Sequence, residues 1–303
     1  MVGEEPAAED EGTAMDRQRI EVLDGEMAYI EVGVGPEVFV FLHGNPTSSF
    51  LWRNVWPHVA DLGRCYAPDL IGMGESTKRP GEGDERYRFA EHARYLDAWF
   101  DAVVPDGQVI LVVHDWGSAL GFHWANRHRD RVRGIAHTES IVTTVEWEDW
   151  PESSQAFFRA VRSPAGEDMV LERNVFIEEG LTAGAPPFLD DLAMTAYRRP
   201  FLRHGEDRRP MLTWPREIPV AGEPSDVADV VVDYGRWLAV SDVPKLLVRA
   251  EPGETLVGRR LEVARTWPNQ TEVTVAGRHF VPESSPHELG EHLRNWVEDL
   301  EGS

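Results

Sequence analysis

The stretch Val109 to His123, VILVVHDWGSALGFH, constrains the chain more than any other. Val109 to Val113 form an apolar run with no polar residue between them, the mark of a parallel strand buried on both faces. SALGFHWANRHRD behind it reads as a helix packed on that strand. His114, Asp115, Trp116 and Gly117 form the junction, with small residues nearby that let helix and strand approach. That is the pattern of a nucleophile elbow, a tight turn that lifts one side chain above the sheet. The lifted position is Asp115, where many elbows carry serine. Two readings follow from this stretch alone. Asp115 caps the helix N-terminus, which aspartate does well, or it is a nucleophile.

The flanking sequence supplies the frame. Residues 1–16 are acidic and poor in bulky apolar residues, and are expected to be a disordered tail. From Arg17 to Gly33, alternating stretches around Asp24-Gly25 predict a hairpin of antiparallel edge strands. Glu37 to Leu42 reads as a buried strand running into His43-Gly44-Asn45-Pro46-Thr47, followed by a helix through Trp52 to Leu62. CYAPDL is the next strand, then the helix FAEHARYLDAWFDAV, the elbow, and a strand from Gly134 to Glu139. This alternation calls for a mostly parallel sheet with helices on both faces. Between about Thr143 and Pro224 the sequence turns Pro-rich, aromatic and helical, with no central strand. The βα pattern then resumes with VADVVVDYGRWLAV, PKLLVRA, RRLEVARTW, TEVTVAG and a last helix from Pro286 to Leu300. The expected division is an α/β core of residues 17–142 and 225–303 interrupted by a helical cap of residues 143–224.

Composition narrows the function classes. A formal net charge of −23 argues against nucleic acid and anionic membranes as partners, since both reward Lys and Arg patches. No apolar run reaches the roughly 18 residues of a membrane span, and the acidic start does not read as a signal peptide. A single cysteine, Cys65, excludes an internal disulfide, and a cytoplasmic location is expected. No His, Cys and acidic residues share metal-ligand spacing, so no metal is expected. The Gly72 and Gly74 loop lacks the Lys-Ser/Thr of a phosphate cradle and reads as a turn.

In open parallel sheets, ligands bind at the carboxyl ends of strands. Asn45, Asp115, Glu139 and His279 all fall there, and the order nucleophile, acid, histidine is that of α/β-hydrolases. A single loop histidine among the 11 in the chain is usually a surface residue, but the shared order favours the catalytic reading. The acid stays open on residue grounds alone, because Glu251 and Glu254 follow PKLLVRA, where many such enzymes carry theirs.

The segments VVHDWGSALGFHWA, HGNPTSS, DLIGMGES, WPREIPVAGEP and GRHFVPESSP resemble the haloalkane dehalogenases, specifically the branch that also contains the coelenterazine-oxidising luciferase of sea pansies. The resemblance runs from about residue 17 onward and includes SPAGEDMVLERNVFIEEG. It implies an α/β-hydrolase fold and a cofactor-independent enzyme, expected as a monomer or homodimer, that releases halide from a halogenated small molecule. It implies Asp115 as nucleophile, His279 as base, Glu139 as acid, and Asn45 with Trp116 as the halide-binding and oxyanion pair. For the substrate pocket it implies Phe176, Trp214, Pro215 and Phe280. Taken singly, the cap aromatics Trp150, Phe157, Phe158, Phe176, Phe201 and Trp214 read as core. His43 and His114 read as structural. Val113 stands at the elbow position where many α/β-hydrolases have glycine.

The chemistry suits these residue types. A carboxylate with a pKa near ~3.9 is ionised at neutral pH and can attack an alkyl carbon without first losing a proton. Neutral donors such as an indole and a carboxamide stabilise a departing halide without trapping it. Three other readings compete. An epoxide hydrolase needs two cap tyrosines, and only Tyr197 and Tyr234 are available. A luciferase is favoured by the cap, but Glu152-Ser153-Ser154-Gln155 replaces the acidic run that follows Trp-Pro in the sea-pansy protein, and the arginine-rich composition looks bacterial. A binding module without catalysis is disfavoured because every catalytic position is filled.

Overall fold

Phe39, Phe41, Ile110 and Val112 pack into one hydrophobic core, while Val40, Leu42, Leu111 and Val113, alternating with them, pack into another. Successive side chains of a strand point to opposite faces, so a strand buried on both sides must be apolar throughout. The structure, a computed structural model, describes residues 17–184 and 189–301; the acidic segment 1–16 lies outside the described residues. Its strands are β1 (Arg17–Val22), β2 (Gly25–Val32), β3 (Glu37–Leu42), β4 (Gly63–Pro68), β5 (Val109–Asp115), β6 (Val132–Ser140), β7 (Lys245–Pro252) and β8 (Gln270–Gly277). They form one sheet in the order β1-β2-β4-β3-β5-β6-β7-β8, antiparallel at β1-β2 and β2-β4 and parallel elsewhere. This is the α/β-hydrolase arrangement expected.

The helices are α1 (Phe89–Val103), α2 (Trp116–Arg127), α3 (Glu152–Arg162), α4 (Leu181–Gly184), α5 (Asp191–Arg198), α6 (Arg209–Glu217), α7 (Ser225–Leu238), α8 (Arg259–Arg265), α9 (Val281–Ser284) and α10 (Pro286–Glu301). On α1, Phe89, His92, Ala93, Leu96, Trp99 and Phe100 are buried at helical spacing, and Phe100 stacks on Trp124 of α2 with ring centroids 4.0 Å apart. Burying a large apolar side chain of this kind stabilises the fold by roughly 1.5–3 kcal/mol. Leu289, Leu293, Trp296 and Val297 of α10 cover the opposite face of the sheet.

Three expectations are corrected. The hairpin turn is Leu23-Asp24 rather than Asp24-Gly25, because Val22 pairs with Gly25, which begins β2. The Asp24 carboxylate accepts a hydrogen bond from Tyr95 Oη, which ties the turn to α1. Only β1 of that hairpin is an edge strand, since β2 lies between β1 and β4. The helix expected through Trp52 to Leu62 is instead two 3-10 turns, Ser49–Trp52 and Trp56–His58. Pro57 has no N–H to donate to the carbonyl of Arg53, so bonds three residues apart prevail, such as Val55 N–H to Trp52 O at 2.8 Å and His58 N–H to Val55 O at 3.1 Å.

Among the described residues between β6 and α7, no strand joins the sheet; α3 to α6 and two π-helical turns, Glu167–Glu172 and Phe176–Gly180, fill the interval. Half-buried polar links join this helical stretch to the rest. Arg209 of α6 donates to Asp84 at 3.2 Å as well as to Glu167 and Glu206, and Arg216 donates to Asp84 at 2.7 Å. Tyr197 of α5 donates to Glu283 of α9, which is paired to Arg53. Among the described residues, no helix is long and apolar enough to cross a membrane.

Candidate active site

Four strand ends converge above the sheet. The backbone N–H of Asn45, past the end of β3, donates to Oδ2 of Asp115 at 2.8 Å. A Cβ on Gly44 would lie 2.3 Å from that same oxygen, so glycine is the only residue that admits the carboxylate here. Asp115 itself has φ 49° and ψ −128°, outside the regions that non-glycine residues ordinarily adopt, a strained backbone at the tight turn that displays its side chain. At Asp115 the expected choice was capping or display, and the carboxylate makes no capping bond to α2. Ser118 secures the turn: its Oγ donates to the Asp115 carbonyl at 2.5 Å and accepts the Ile141 N–H at 2.8 Å.

Val113, the departure noted in the elbow, is accommodated from the helix side. A Cβ on Gly121 of α2 would stand 2.8 Å from Val113 Cγ1, so the branched side chain takes the space that a glycine of the helix leaves open.

His279, past the end of β8, bridges two carboxylates. Its Nε2 lies 3.9 Å from Oδ1 of Asp115, and its Nδ1 lies 3.4 Å from Oε2 of Glu139. Glu139, 1% exposed and at φ 45°, accepts backbone N–H bonds from Glu254 at 3.1 Å, Thr255 at 2.5 Å and Leu256 at 3.4 Å. The alternative acids point elsewhere. The Glu254 carboxylate lies 3.6 Å from Arg278, and that of Glu251 lies 3.4 Å from Arg249. Burial works against a charged imidazole at 279, but the Glu139 hydrogen bond and the charges of Asp115 and Glu139 prevail and raise its pKa to about 9. Burial pushes the Asp115 carboxyl above its ordinary range, opposed by the His279 charge and by the N–H groups of Asn45 and Trp116.

Both neighbouring histidines are structural. His114 Nε2 donates to the His279 carbonyl at 2.8 Å, and burial together with the His279 charge holds its pKa well below the ordinary value. His43 Nε2 accepts the Leu70 N–H at 3.0 Å.

Beside Asp115 stands an aromatic wall. Trp116 stacks on Trp214 of α6 with centroids 4.6 Å apart, and Trp214 stacks on His92 at 4.1 Å. Burial holds His92 neutral, so the wall adds no fixed cation. Asn45 Nδ2 reaches the Met211 carbonyl of the same α6 at only 3.4 Å, and its Oδ1 is buried without a partner among the described residues. Pro215 follows Trp214 within the buried face of α6. Phe280 is buried edge-on to His279 at 4.7 Å, and its N–H donates to the Gly184 carbonyl at 3.1 Å. Phe176 is half-buried on its π-helical turn and meets Phe157 edge-on at 5.6 Å.

The two tyrosines that epoxide chemistry would require are committed elsewhere. Tyr197 donates to Glu283, and Tyr234 donates to the Ile141 carbonyl at 2.6 Å. Thr255 carries no signal in its residue type, yet its loop supplies through it a backbone donor to Glu139 and a hydroxyl 3.1 Å from His279 Nδ1.

Residues 37–171 match the family model of the alpha/beta hydrolase fold. A haloalkane dehalogenase of Sphingobium indicum is 53% identical over 285 residues, covering 94% of this chain and 96% of the relative. The chain belongs to the haloalkane dehalogenase family. A solved haloalkane dehalogenase of Bradyrhizobium elkani superposes with a TM-score of 0.88 at 39% identity, covering 94% of this chain and 98% of that one. A coelenterazine h 2-monooxygenase of Renilla reniformis is 40% identical over 285 residues, covering 93% of this chain and 90% of the relative. The dehalogenase family thus accounts for the whole described core, the helical stretch included.

Proposed function

We propose that this enzyme hydrolyses short to medium bromo-, iodo- and chloroalkanes to an alcohol and a halide, with Asp115, His279 and Glu139 as catalytic residues. The observation that carries the reading is the seat of Asp115, a carboxylate with a backbone donor on Oδ2 and an imidazole facing Oδ1. A carboxylate oxygen attacks the halogen-bearing carbon in line; the new C–O bond takes the place of the carbon–halogen bond, whose electron pair leaves with the halide. The indole N–H of Trp116 and the amide N–H of Asn45 stabilise the negative charge developing on the halogen.

The first step leaves a neutral ester on Asp115. One of the charges that held the His279 proton is then gone, so the imidazolium releases its Nε2 proton to solvent and the neutral imidazole becomes a base. It takes a proton from a water that attacks the ester carbonyl, and Glu139 steadies the imidazolium formed. The N–H groups of Asn45 and Trp116 hold the oxyanion. On collapse the imidazolium protonates the departing alkoxide, releasing the alcohol, and the imidazole then takes the remaining carboxyl proton, which restores the Asp115 carboxylate and the resting imidazolium. Trp214, Pro215, Phe176 and Phe280 form the apolar walls that a halocarbon requires.

The same reading divides the chain into a core of residues 17–142 and 225–303 and a cap of residues 143–224 over the site. It places the enzyme in the bacterial cytoplasm, where a buried free thiol such as Cys65 needs no oxidised partner. Incubation with 1-bromobutane and, separately, with coelenterazine tests the function. Halide release without appreciable light is expected. The likeness to the coelenterazine monooxygenase favours a second reading, oxidation of that luciferin, and strong light without halide would establish it instead.

A further inference from the structure

Nδ1 of His279 faces two oxygens, and the nearer is not the carboxylate. Thr255 Oγ1 lies at 3.1 Å and Glu139 Oε2 at 3.4 Å. Thr255 stands on the loop between β7 and α8, and its backbone N–H donates to Glu139 Oε2 at 2.5 Å. One residue therefore holds the acid through its main chain and meets the imidazole through its side chain. We propose that Thr255 is a positioning residue for hydrolysis of the alkyl ester, its hydroxyl oxygen sharing the His279 Nδ1–H with Glu139. The proposal rests on the reading of His279 as the base.

Tautomer chemistry gives the reason. A neutral imidazole carries one N–H, and Nε2 must be bare to take a proton from water, so Nδ1 must keep its hydrogen. A hydroxyl alone would not select this form, because it can donate to a bare Nδ1 as readily as it accepts from Nδ1–H. The carboxylate beside it can only accept, so it sets the direction, and Thr255 Oγ1 becomes the second acceptor of a shared bond. Thr255 is half-buried, so its hydroxyl stands at the rim of the site and not sealed within it. With Glu139 at 3.4 Å, near the limit of a useful bond, the hydroxyl supplies the closer restraint on ring orientation. The other groups acting on His279 are the Asp115 carboxylate from the elbow, the Glu254 carboxylate from the same loop as Thr255, and the neutral His114 ring from β5.

Thr255→Val keeps the shape and removes the oxygen; Thr255→Ser keeps the oxygen. Pre-steady-state halide release from 1-bromobutane separates the two steps. For Thr255→Val the burst rate should match wild type, the following hydrolysis should slow about tenfold, and its pH profile should move to lower pH, since the imidazolium has lost an acceptor. Thr255→Ser should restore both the rate and the profile. If Thr255→Val folds poorly, Thr255→Ala carries the same expectations. Wild-type hydrolysis and an unmoved profile in the variant lacking the hydroxyl overturn the proposal, as does a defect that Thr255→Ser fails to rescue. His279→Phe separates the two claims. If it traps the alkyl-enzyme while Thr255→Val behaves as wild type, the base stands and the role of Thr255 falls; if it traps nothing, both fall.

Discussion

Nε2 of His279 stands 3.9 Å from Oδ1 of Asp115, within ion-pair range and beyond a hydrogen bond. In the proposed mechanism the pair holds opposite charges in the free enzyme and loses one of them when Asp115 becomes an ester. The pH dependence of the two steps should therefore differ. With the His279 pKa raised to about 9 in the free enzyme, the imidazolium persists through neutral pH and does not obstruct attack by the carboxylate. In the ester the proton is held less firmly, and the hydrolytic step needs it gone. The steady-state rate should accordingly rise with pH and then level off, while the alkyl-enzyme accumulates on the acid side. Rapid-quench halide bursts check this in the pH range where the Asp115 carboxyl stays ionised; within that range, a burst that fades as pH falls would contradict it.

Glu139→Gln should slow hydrolysis of the ester by on the order of 10²–10⁴-fold, by analogy with the loss of the acid from other triads. The amide that replaces the carboxylate must place its NH2 either at the Oε2 position, against the N–H groups of Glu254 and Thr255 and Nδ1 of His279, or at the Oε1 position, against the N–H of Leu256. Single-turnover kinetics measure the effect. Full activity in Glu139→Gln together with an inactive Glu254→Gln or Glu251→Gln would reassign the acid.

Trp116→Phe removes the indole N–H and should cost about 3 kcal/mol in the alkylation step, or roughly 10²–10³ in rate. Asn45→Ala should slow the same step but spare hydrolysis more, because the backbone N–H of residue 45 that serves Asp115 remains. Burst and steady-state rates on one substrate separate the two effects. Equal loss in both steps for Asn45→Ala would contradict the division of labour between side chain and main chain.

Gly121→Ala places a methyl 2.8 Å from Val113 Cγ1 at the core of the elbow. It should destabilise the fold by about 1–3 kcal/mol. Adding Val113→Ala should recover part of that loss, and urea unfolding of the single and double variants measures it. Additive losses would mean that the two positions do not share the space.

Much of this was legible in the residues themselves. Val109 to Val113 could only be a strand covered on both faces, and Phe89–Val103 carries the apolar spacing of the helix it forms. Asn45, Asp115, Glu139 and His279 could be placed at strand ends because the strands that carry them are strongly patterned. Residues 49–58 misled because aromatic periodicity there mimics a helix, while Pro57 denies it one bond. Thr255 was hidden because its role depends on a loop conformation and on a main-chain donor, to which side-chain type gives no clue. Val113 was visible as a departure from pattern, but its partner Gly121 lies eight residues on and is found only once strand and helix are packed.

The nucleophile itself is most directly tested by the intact mass of His279→Phe after exposure to 1-bromobutane, followed by peptide mapping. The expected result is one butyl group per chain, esterified to Asp115. An unchanged mass despite halide release, or a butyl group on any other residue, would contradict the covalent mechanism.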